Sequence, residues 1–219
     1  MKRIALAVLL AVSVQLSGQN SSVPGTSTNP KVRAITGFVR LDRENYQQQI
    51  ADALLVLRRA KAEFESRGYE VETMRLTTQP LAELVSGLSE EQALAFLKHL
   101  DDLSVKENFL PNVGPAMLHD SDDPATVYLF EKVLSTLPNI EGSTILADET
   151  GIHWKTIHYT AELVKYVTEH SLHSQGNFNF TATAMLKPLG PFFPGSYHTG
   201  PGRQFAVGFE GANVVQVKN

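Results

Sequence analysis

The sequence predicts an α/β domain in which strands and helices alternate along the chain and the strands form a mostly parallel sheet. Short β-prone runs alternate with longer stretches whose apolar residues recur three and four positions apart. Glycine and proline residues stand at several boundaries between these stretches. Strands that are joined through helices form right-handed crossovers, so that neighbouring strands run parallel.

In the first half of the domain, the predicted strands and helices follow one another closely. A β-prone stretch at residues 32–39 precedes a long amphipathic run, residues 43–67, which we expect Asp42 to cap and Gly68 to end. Alternation with a period of two predicts a strand at residues 69–76. The other elements are a short helix from Pro80 to Ser86, a helix after the capping-box pair Ser89 and Gln92, and a strand at residues 108–113 that contains Pro111.

The second half continues the alternation and then departs from it. We expect helices at residues 124–136 and 153–173, and strands at residues 140–147 and 177–186. A last strand, residues 205–217, ends at the C-terminus without a following helix. This ending predicts an incomplete barrel or a truncated chain. It also predicts a bare strand edge, which would favour a homo-oligomer or poor solubility.

The N-terminal part of the chain is typical of an exported protein. Two positive charges precede a short apolar run at residues 4–14, which is shorter than the roughly 20 residues that span a bilayer. We predict a signal peptide at residues 1–18, a flexible linker at 19–30 and the α/β domain at 31–219. The mature protein is then periplasmic or extracellular and has no stable membrane span. An uncleaved anchor or a buried N-terminal helix are the alternatives.

Composition narrows the chemistry that the domain could perform. The chain carries a net charge of −4 and no basic patch, so we expect no nucleic-acid partner. The absence of cysteine excludes thiol nucleophiles and thiolate zinc sites. His170 and His173 are three residues apart, but no HExxH pattern accompanies them, so we predict no metal site. The sequence identifies no cofactor.

The most distinctive segment is a loop rich in glycine and proline at residues 190–202. It follows the predicted strand at residues 177–186, and ligands of parallel α/β sheets bind at the carboxyl ends of the strands. Proline and glycine give such a loop a defined shape. His198 is therefore the predicted catalytic residue, as a general acid or base. The alternative is a histidine that is only hydrogen-bonded within a rigid loop.

Three residues of the predicted strands are candidates for ligand binding. Arg33 and Arg75 are cationic groups within strands, where a buried charge requires a partner such as an anion. Ser143 lies in the strand at residues 140–147 and could add a hydroxyl donor. Structural ion pairs or simple exposure are the alternative for the two arginines.

Several stretches together resemble a protein family, the domain of unknown function 711. They are residues 32–36 and 75–80, then 139–144, and then 191–198 followed by 205–208 and 211–215. The resemblance implies an α/β barrel similar to that of pyruvate formate-lyase-like enzymes. Because family members are considerably longer, it also implies that this chain matches their N-terminal half. The family has no assigned activity, and glycyl-radical catalysis is not carried over because it needs a cysteine.

Two functions remain open from the sequence. The first is an enzyme or enzyme relative that binds a small anionic ligand at the carboxyl ends of the strands, through His198, Arg33, Arg75 and Ser143. The second is a non-catalytic binding or assembly protein in which the loop at residues 190–202 is a structural element. Clustering of the four residues in one pocket favours the first function, and scatter favours the second.

Overall fold

A computed structural model describes residues 29–190 and 192–211 as a seven-stranded sheet with five α-helices. The strands are β1 (Lys31–Val39), β2 (Val71–Thr77), β3 (Leu110–Pro115), β4 (Glu141–Asp148), β5 (Gly151–Ile152), β6 (Phe180–Ala184) and β7 (Arg203–Glu210). The helices are α1 (Tyr46–Ser66), α2 (Leu81–Leu84), α3 (Glu90–Glu107), α4 (Ala125–Thr136) and α5 (Trp154–His170). The predicted signal peptide, most of the predicted linker and the end of the last predicted strand lie outside the described residues.

The sheet is mixed and open. Its strands lie in the order β5-β4-β3-β2-β1-β7, and β6 pairs with β4 beside β5. β1, β2, β3, β4 and β6 pair in parallel, as the alternation of strands and helices predicts. β5 and β7 are antiparallel to their neighbours, because each joins the sheet without a crossover helix. The predicted α/β class is thus confirmed, and the sheet does not close into a barrel within the described part of the chain.

Local capping signals set some helix boundaries and not others. Ser89 accepts a hydrogen bond from the Gln92 backbone and Gln92 returns one to the Ser89 backbone, so the predicted capping box of α3 is confirmed. Asp42 does not cap α1, which begins at Tyr46. Its carboxylate instead accepts hydrogen bonds from the Glu44 backbone and the Asn45 side chain, at 3.0 and 3.2 Å, and this turn delays the helix.

The predicted helix at residues 153–173 ends earlier, at His170, and a 3₁₀ segment (Leu172–Asn179) follows. His173 and Ser174 adopt left-handed backbone angles, which an α-helix cannot contain. Gly176 then passes so close to α4 that an added Cβ would lie 2.2 Å from the Leu134 carbonyl oxygen. The 3₁₀ segment thus packs closely against α4. It occupies the first residues of the strand predicted at residues 177–186, so β6 is shorter than predicted.

The two faces of the sheet have different coverings. One face, which we call the helix face, packs against α-helices: Gly37 faces Leu57 of α1, and Gly142 faces Phe130 of α4. The opposite face, the loop face, is crossed by residues 192–202, which we call the covering loop. Asn112 of β3 binds this loop by donating hydrogen bonds to two of its carbonyl oxygens. Among the described residues, no helix has the length and apolar composition needed to cross a membrane.

Candidate functional site

The loop face carries a row of polar side chains beneath the covering loop. Thr77, Asn112 and Glu141 are register partners on β2, β3 and β4. The Thr77 hydroxyl lies 3.2 Å from the Ser196 hydroxyl, and Asn112 donates to the Pro194 and Ser196 carbonyl oxygens at 2.8 and 2.9 Å. These contacts fix the covering loop over the middle of the sheet.

Arg75 lies on the same face of β2, two residues before Thr77. Its guanidinium stacks on the Phe193 ring of the covering loop, 4.4 Å from the ring centroid. The residue is half-buried, and burial lowers the pKa of Arg75, although arginine stays protonated in proteins. Its Nε is buried without a hydrogen-bond partner, and no other residue of the described chain forms a hydrogen bond or ion pair with Arg75.

Glu141 and Ser143 complete this polar surface on β4. Gly142 faces α4 and the Thr144 hydroxyl contacts Thr160 of α5, so the residues that alternate with them face the covering loop. Ser143 is fully buried, and its hydroxyl has no hydrogen-bond partner among the described residues. Burial raises the pKa of Glu141 to about 7, and the nearby charge of Arg75 opposes this shift.

Arg33, the other predicted anion ligand, has a different environment. It is exposed and forms an ion pair with Glu72, which raises the pKa of Arg33 and lowers the pKa of Glu72. The structural ion pair that the sequence left open as an alternative is therefore present. Arg33 is still close enough for its charge to contribute to the lowered pKa of Arg75.

His198 lies beyond the carboxyl end of β2 and is fully buried. Its backbone N–H donates to the Thr78 carbonyl oxygen at 2.8 Å, and its Nε2 lies 3.0 Å from the Gly202 carbonyl oxygen. Its Nδ1 is buried and has no partner within residues 29–190 and 192–211. Thr78 follows Arg75 by three residues, about 10 Å along a strand. The structure thus places Arg75 and Ser143 on the same face of the sheet, though on strands separated by β3. Arg33 and His198 lie elsewhere, and the catalytic role of His198 stays a prediction.

A second polar region lies at the carboxyl ends of β1 and β2. It is a cleft of about 600 Å³, bordered by Arg40, Arg43 and Arg203 and by the acidic residues Asp42 and Glu83. Each arginine has a partner. Arg40 pairs with Glu83 at 2.6 Å, Arg43 donates to the carbonyl oxygens of Leu84 and Ser86, and Arg203 lies 3.4 Å from Asp52. We call this region the carboxyl-end cleft.

His153 belongs to the turn between β4 and α5, apart from the loop face. His153 is buried, with Nδ1 2.9 Å from the Ile145 carbonyl oxygen and Nε2 3.2 Å from the Asp148 carboxylate. Hydrogen bonds from Thr150, together with His153, lower the pKa of Asp148 to about 2. In the part of the chain that the structure describes, no three His, Cys, Asp or Glu residues are grouped in a way that could hold a metal ion.

Comparison with known proteins identifies the family of this chain. The sequence profile of DUF711, described as an uncharacterised ACR, matches residues 26–218. The chain belongs to this family. A relative, a UPF0210 protein of Pyrobaculum islandicum, is 27% identical over 180 residues, which are 78% of this chain and 38% of the relative. The chain therefore spans well under half of that relative's length. The family resemblance is confirmed, while the match to an N-terminal half and the barrel fold stay predictions.

Two residues of the loop face in this DUF711 chain, Glu141 and Phe193, were not predicted from the sequence. Glu141 lies two residues before Ser143, and period-two alternation of β4 puts both on one face. That signal was present in the sequence. Phe193 gave no comparable signal, because its contact with Arg75 depends on how the covering loop crosses the sheet.

Proposed function

We propose that this DUF711 protein is exported and binds a small anionic ligand on the loop face, through Arg75. The observation that carries the proposal is the state of Arg75, a half-buried guanidinium that stacks on Phe193 and has no hydrogen bond to the described residues. Buried polar groups are almost always satisfied by a partner, so an unsatisfied one requires an explanation. A bound carboxylate would supply it.

The local chemistry suits a carboxylate. The planar guanidinium can donate two parallel hydrogen bonds to the two oxygens of a carboxylate, and its stacking on Phe193 fixes its plane. The Ser143 hydroxyl also has no partner among the described residues, but Ser143 is level with Pro115 of β3 whereas Arg75 is level with Leu110, so its role in ligand binding stays a prediction. An anion at Arg75 would recover hydrogen bonds that the guanidinium loses on folding.

The covering loop then has a positioning role. Asn112 and Thr77 hold its Pro194–Ser196 part, and His198 fixes its end near β2 through the Thr78 carbonyl oxygen. We propose that His198 supports this loop and thereby the Phe193 ring. A catalytic role for His198 stays a prediction.

The carboxyl-end cleft is a second candidate for the anion site. Ligands of open α/β sheets bind at this end of the strands, and three arginines border the cleft. An anion there would have to replace the contacts of Arg40 with Glu83 or of Arg203 with Asp52. The unpaired state of Arg75 favours the loop face.

Calorimetric titration of the full chain with acetate, propionate, pyruvate and phosphate tests the proposal. We expect Arg75→Gln to weaken binding of at least one carboxylate by more than about tenfold, because a buried charge pair is lost. Arg40→Gln is the matched control and should leave that affinity unchanged. Loss of binding in Arg40→Gln alone would assign the site to the carboxyl-end cleft, and failure of every anion to bind would refute the proposal.

Assembly through the strand edge is the alternative function that the sequence left open. Within the described residues, β7 pairs only with β1, and its Phe205 and Phe209 are more than half exposed. An unpaired edge with exposed aromatic residues favours self-association. Light scattering of the full chain is expected to show a dimer that Phe205→Lys weakens. A stable monomer at high concentration would contradict this alternative.

Export is tested independently of the ligand. The apolar run at residues 4–14 predicts that secreted material begins near residues 14–24. N-terminal sequencing of the protein from periplasmic and cytoplasmic fractions gives a direct answer. Intact Met1 in a cytoplasmic fraction would contradict export.

A further inference from the structure

The loop face contains an unpaired negative group as well as an unpaired positive one. Glu141 is half-buried, and its carboxylate forms no hydrogen bond or ion pair with any described residue. Arg75 is in the same state, two strands away. Of the polar atoms of these two side chains, the Arg75 Nε is fully buried without a partner, and partial burial penalises the charged form of both groups.

The two groups do not satisfy each other. Glu141 and Arg75 interact electrostatically, yet they do not form an ion pair, since no nitrogen–oxygen distance between them is 4.0 Å or less. Asn112 on β3 lies between their strands and is occupied by the covering loop. The neighbouring strands are about 5 Å apart, so Glu141 and Arg75 are separated across the width of one intervening strand.

Ser143 is a third polar residue of the loop face without a hydrogen-bond partner. It is fully buried, it lies on the same face as Glu141, and its hydroxyl has no partner within the described chain. A hydroxyl that is completely removed from water without a hydrogen bond destabilises a protein by about 1–3 kcal/mol. The surface therefore offers a cation, an anion and a hydroxyl, all without partners.

We infer that the ligand of the loop face is an α-amino acid, whose carboxylate binds Arg75 and whose ammonium group binds Glu141. This inference rests on the proposed function and specifies its ligand class. A zwitterion carries a negative group for Arg75 and a positive group for Glu141 on the same carbon atom. Because its own net charge is zero, its binding does not change the net charge of the site. A simple carboxylate would satisfy Arg75 but would bring a second negative charge close to Glu141.

Burial and charge support the same assignment. The raised pKa of Glu141 shows that its ionised form lacks stabilisation in the protein alone, because Arg75 compensates only part of the burial. An ammonium group in hydrogen-bond contact would stabilise the ionised carboxylate. The stacking of Arg75 on Phe193 holds the cation in place, so the amino acid would have to be oriented with its carboxylate toward β2.

Thermal-shift and calorimetric titration of the full chain with each of the twenty amino acids tests the inference. The tightest one is then compared with its deaminated acid and its decarboxylated amine. We expect the amino acid to bind more than about tenfold tighter than either analogue, since each analogue leaves one buried charge unpaired. Glu141→Gln should weaken amino-acid binding by a similar factor, and should leave or improve binding of the deaminated acid.

The results separate the inference from the proposed function. If the deaminated acid binds the wild-type chain as tightly as the amino acid does, the inference is overturned and anion binding at Arg75 stands. If neither binds, both are overturned, and Arg75 and Glu141 are a water-bridged pair. The comparison of ligands uses the wild-type chain alone, so it holds even if Glu141→Gln fails to fold. Unchanged amino-acid affinity in a folded Glu141→Gln chain also overturns the inference.

Discussion

The carboxyl-end cleft and the loop face both contain arginine and glutamate, but these residues differ in burial and in whether they form ion pairs. In the cleft, Arg40 and Glu83 are exposed and paired at 2.6 Å. On the loop face, Arg75 and Glu141 are half-buried and unpaired. Exposed ion pairs contribute little to stability, whereas unpaired buried charges are destabilising. The carboxyl-end cleft therefore holds paired charged groups, whereas the loop face holds unpaired ones.

His198 connects the two regions, and its substitution should have the largest effect on stability. It is fully buried, its backbone anchors the covering loop to Thr78, and its ring contacts Gly202 at the edge of the carboxyl-end cleft. We expect His198→Ala to lower the free energy of unfolding by about 2–4 kcal/mol, because it leaves a cavity and removes a buried hydrogen bond. Urea unfolding measures this change.

The matched control is His99→Ala on the exposed side of α3, which should change the free energy of unfolding by less than about 0.5 kcal/mol. Ligand-induced shifts of the thermal midpoint are measured on the same variants. If His198→Ala keeps its stability and loses the ligand response, the covering-loop role is wrong and the catalytic prediction is favoured.

Glu141 should give the loop face a pH dependence. Its pKa is about 7 in the folded state and near 4.5 when unfolded, so between these values the folded state keeps a proton that the unfolded state releases. Rising pH therefore favours unfolding across this window, and the stability conferred by the neutral carboxyl group is lost by about pH 7. The loss is on the order of 3 kcal/mol.

Urea unfolding between pH 4.5 and 8 measures this dependence, and Glu141→Gln should reduce it because the amide does not titrate. Glu83→Gln, in the carboxyl-end cleft, should leave the wild-type profile unchanged. An identical profile in wild type and Glu141→Gln would mean that Glu141 is not in the buried, unpaired state described above.

The smallest expected effect is at the paired charges of the cleft. Arg40→Ala removes an exposed ion pair with Glu83, and we expect the free energy of unfolding to change by less than about 1 kcal/mol. The change should shrink further in 0.5 M salt, which screens exposed charges. A loss several times larger would show that the cleft pair is structurally important and would remove the contrast between the two regions.

The sequence predicted those parts of the fold that depend on local signals. The capping box of Ser89 and Gln92 is formed by residues three apart, and the alternation of strands and helices predicted the parallel part of the sheet. The antiparallel pairing of β7 with β1 joins residues far apart in sequence, so no local pattern specifies it. Asp42 was wrong as a cap because it lies three residues before the N-cap position, Asn45, and its carboxylate binds the turn that precedes the helix.

The sequence also predicted some residues of the candidate site and missed others. Arg75 and Ser143 were singled out as polar residues within strands, and they do lie on one face of the sheet. The pairing of Arg33 with Glu72 depends on the register between β1 and β2, which the sequence does not specify. Glu141 could have been found from its spacing to Ser143, but its lack of a partner is a property of the assembled sheet.

The central claim is that the unpaired charges of the loop face, and not the paired charges of the cleft, bind the ligand. The most direct measurement is NMR of the arginine side-chain Nε–H signals, assigned with Arg75→Gln and Arg40→Gln, during titration with the amino acid that binds tightest. The Arg75 signal is expected to shift in a saturable way while the Arg40 signal stays in place. A saturable shift of Arg40 with an unchanged Arg75 would contradict the account.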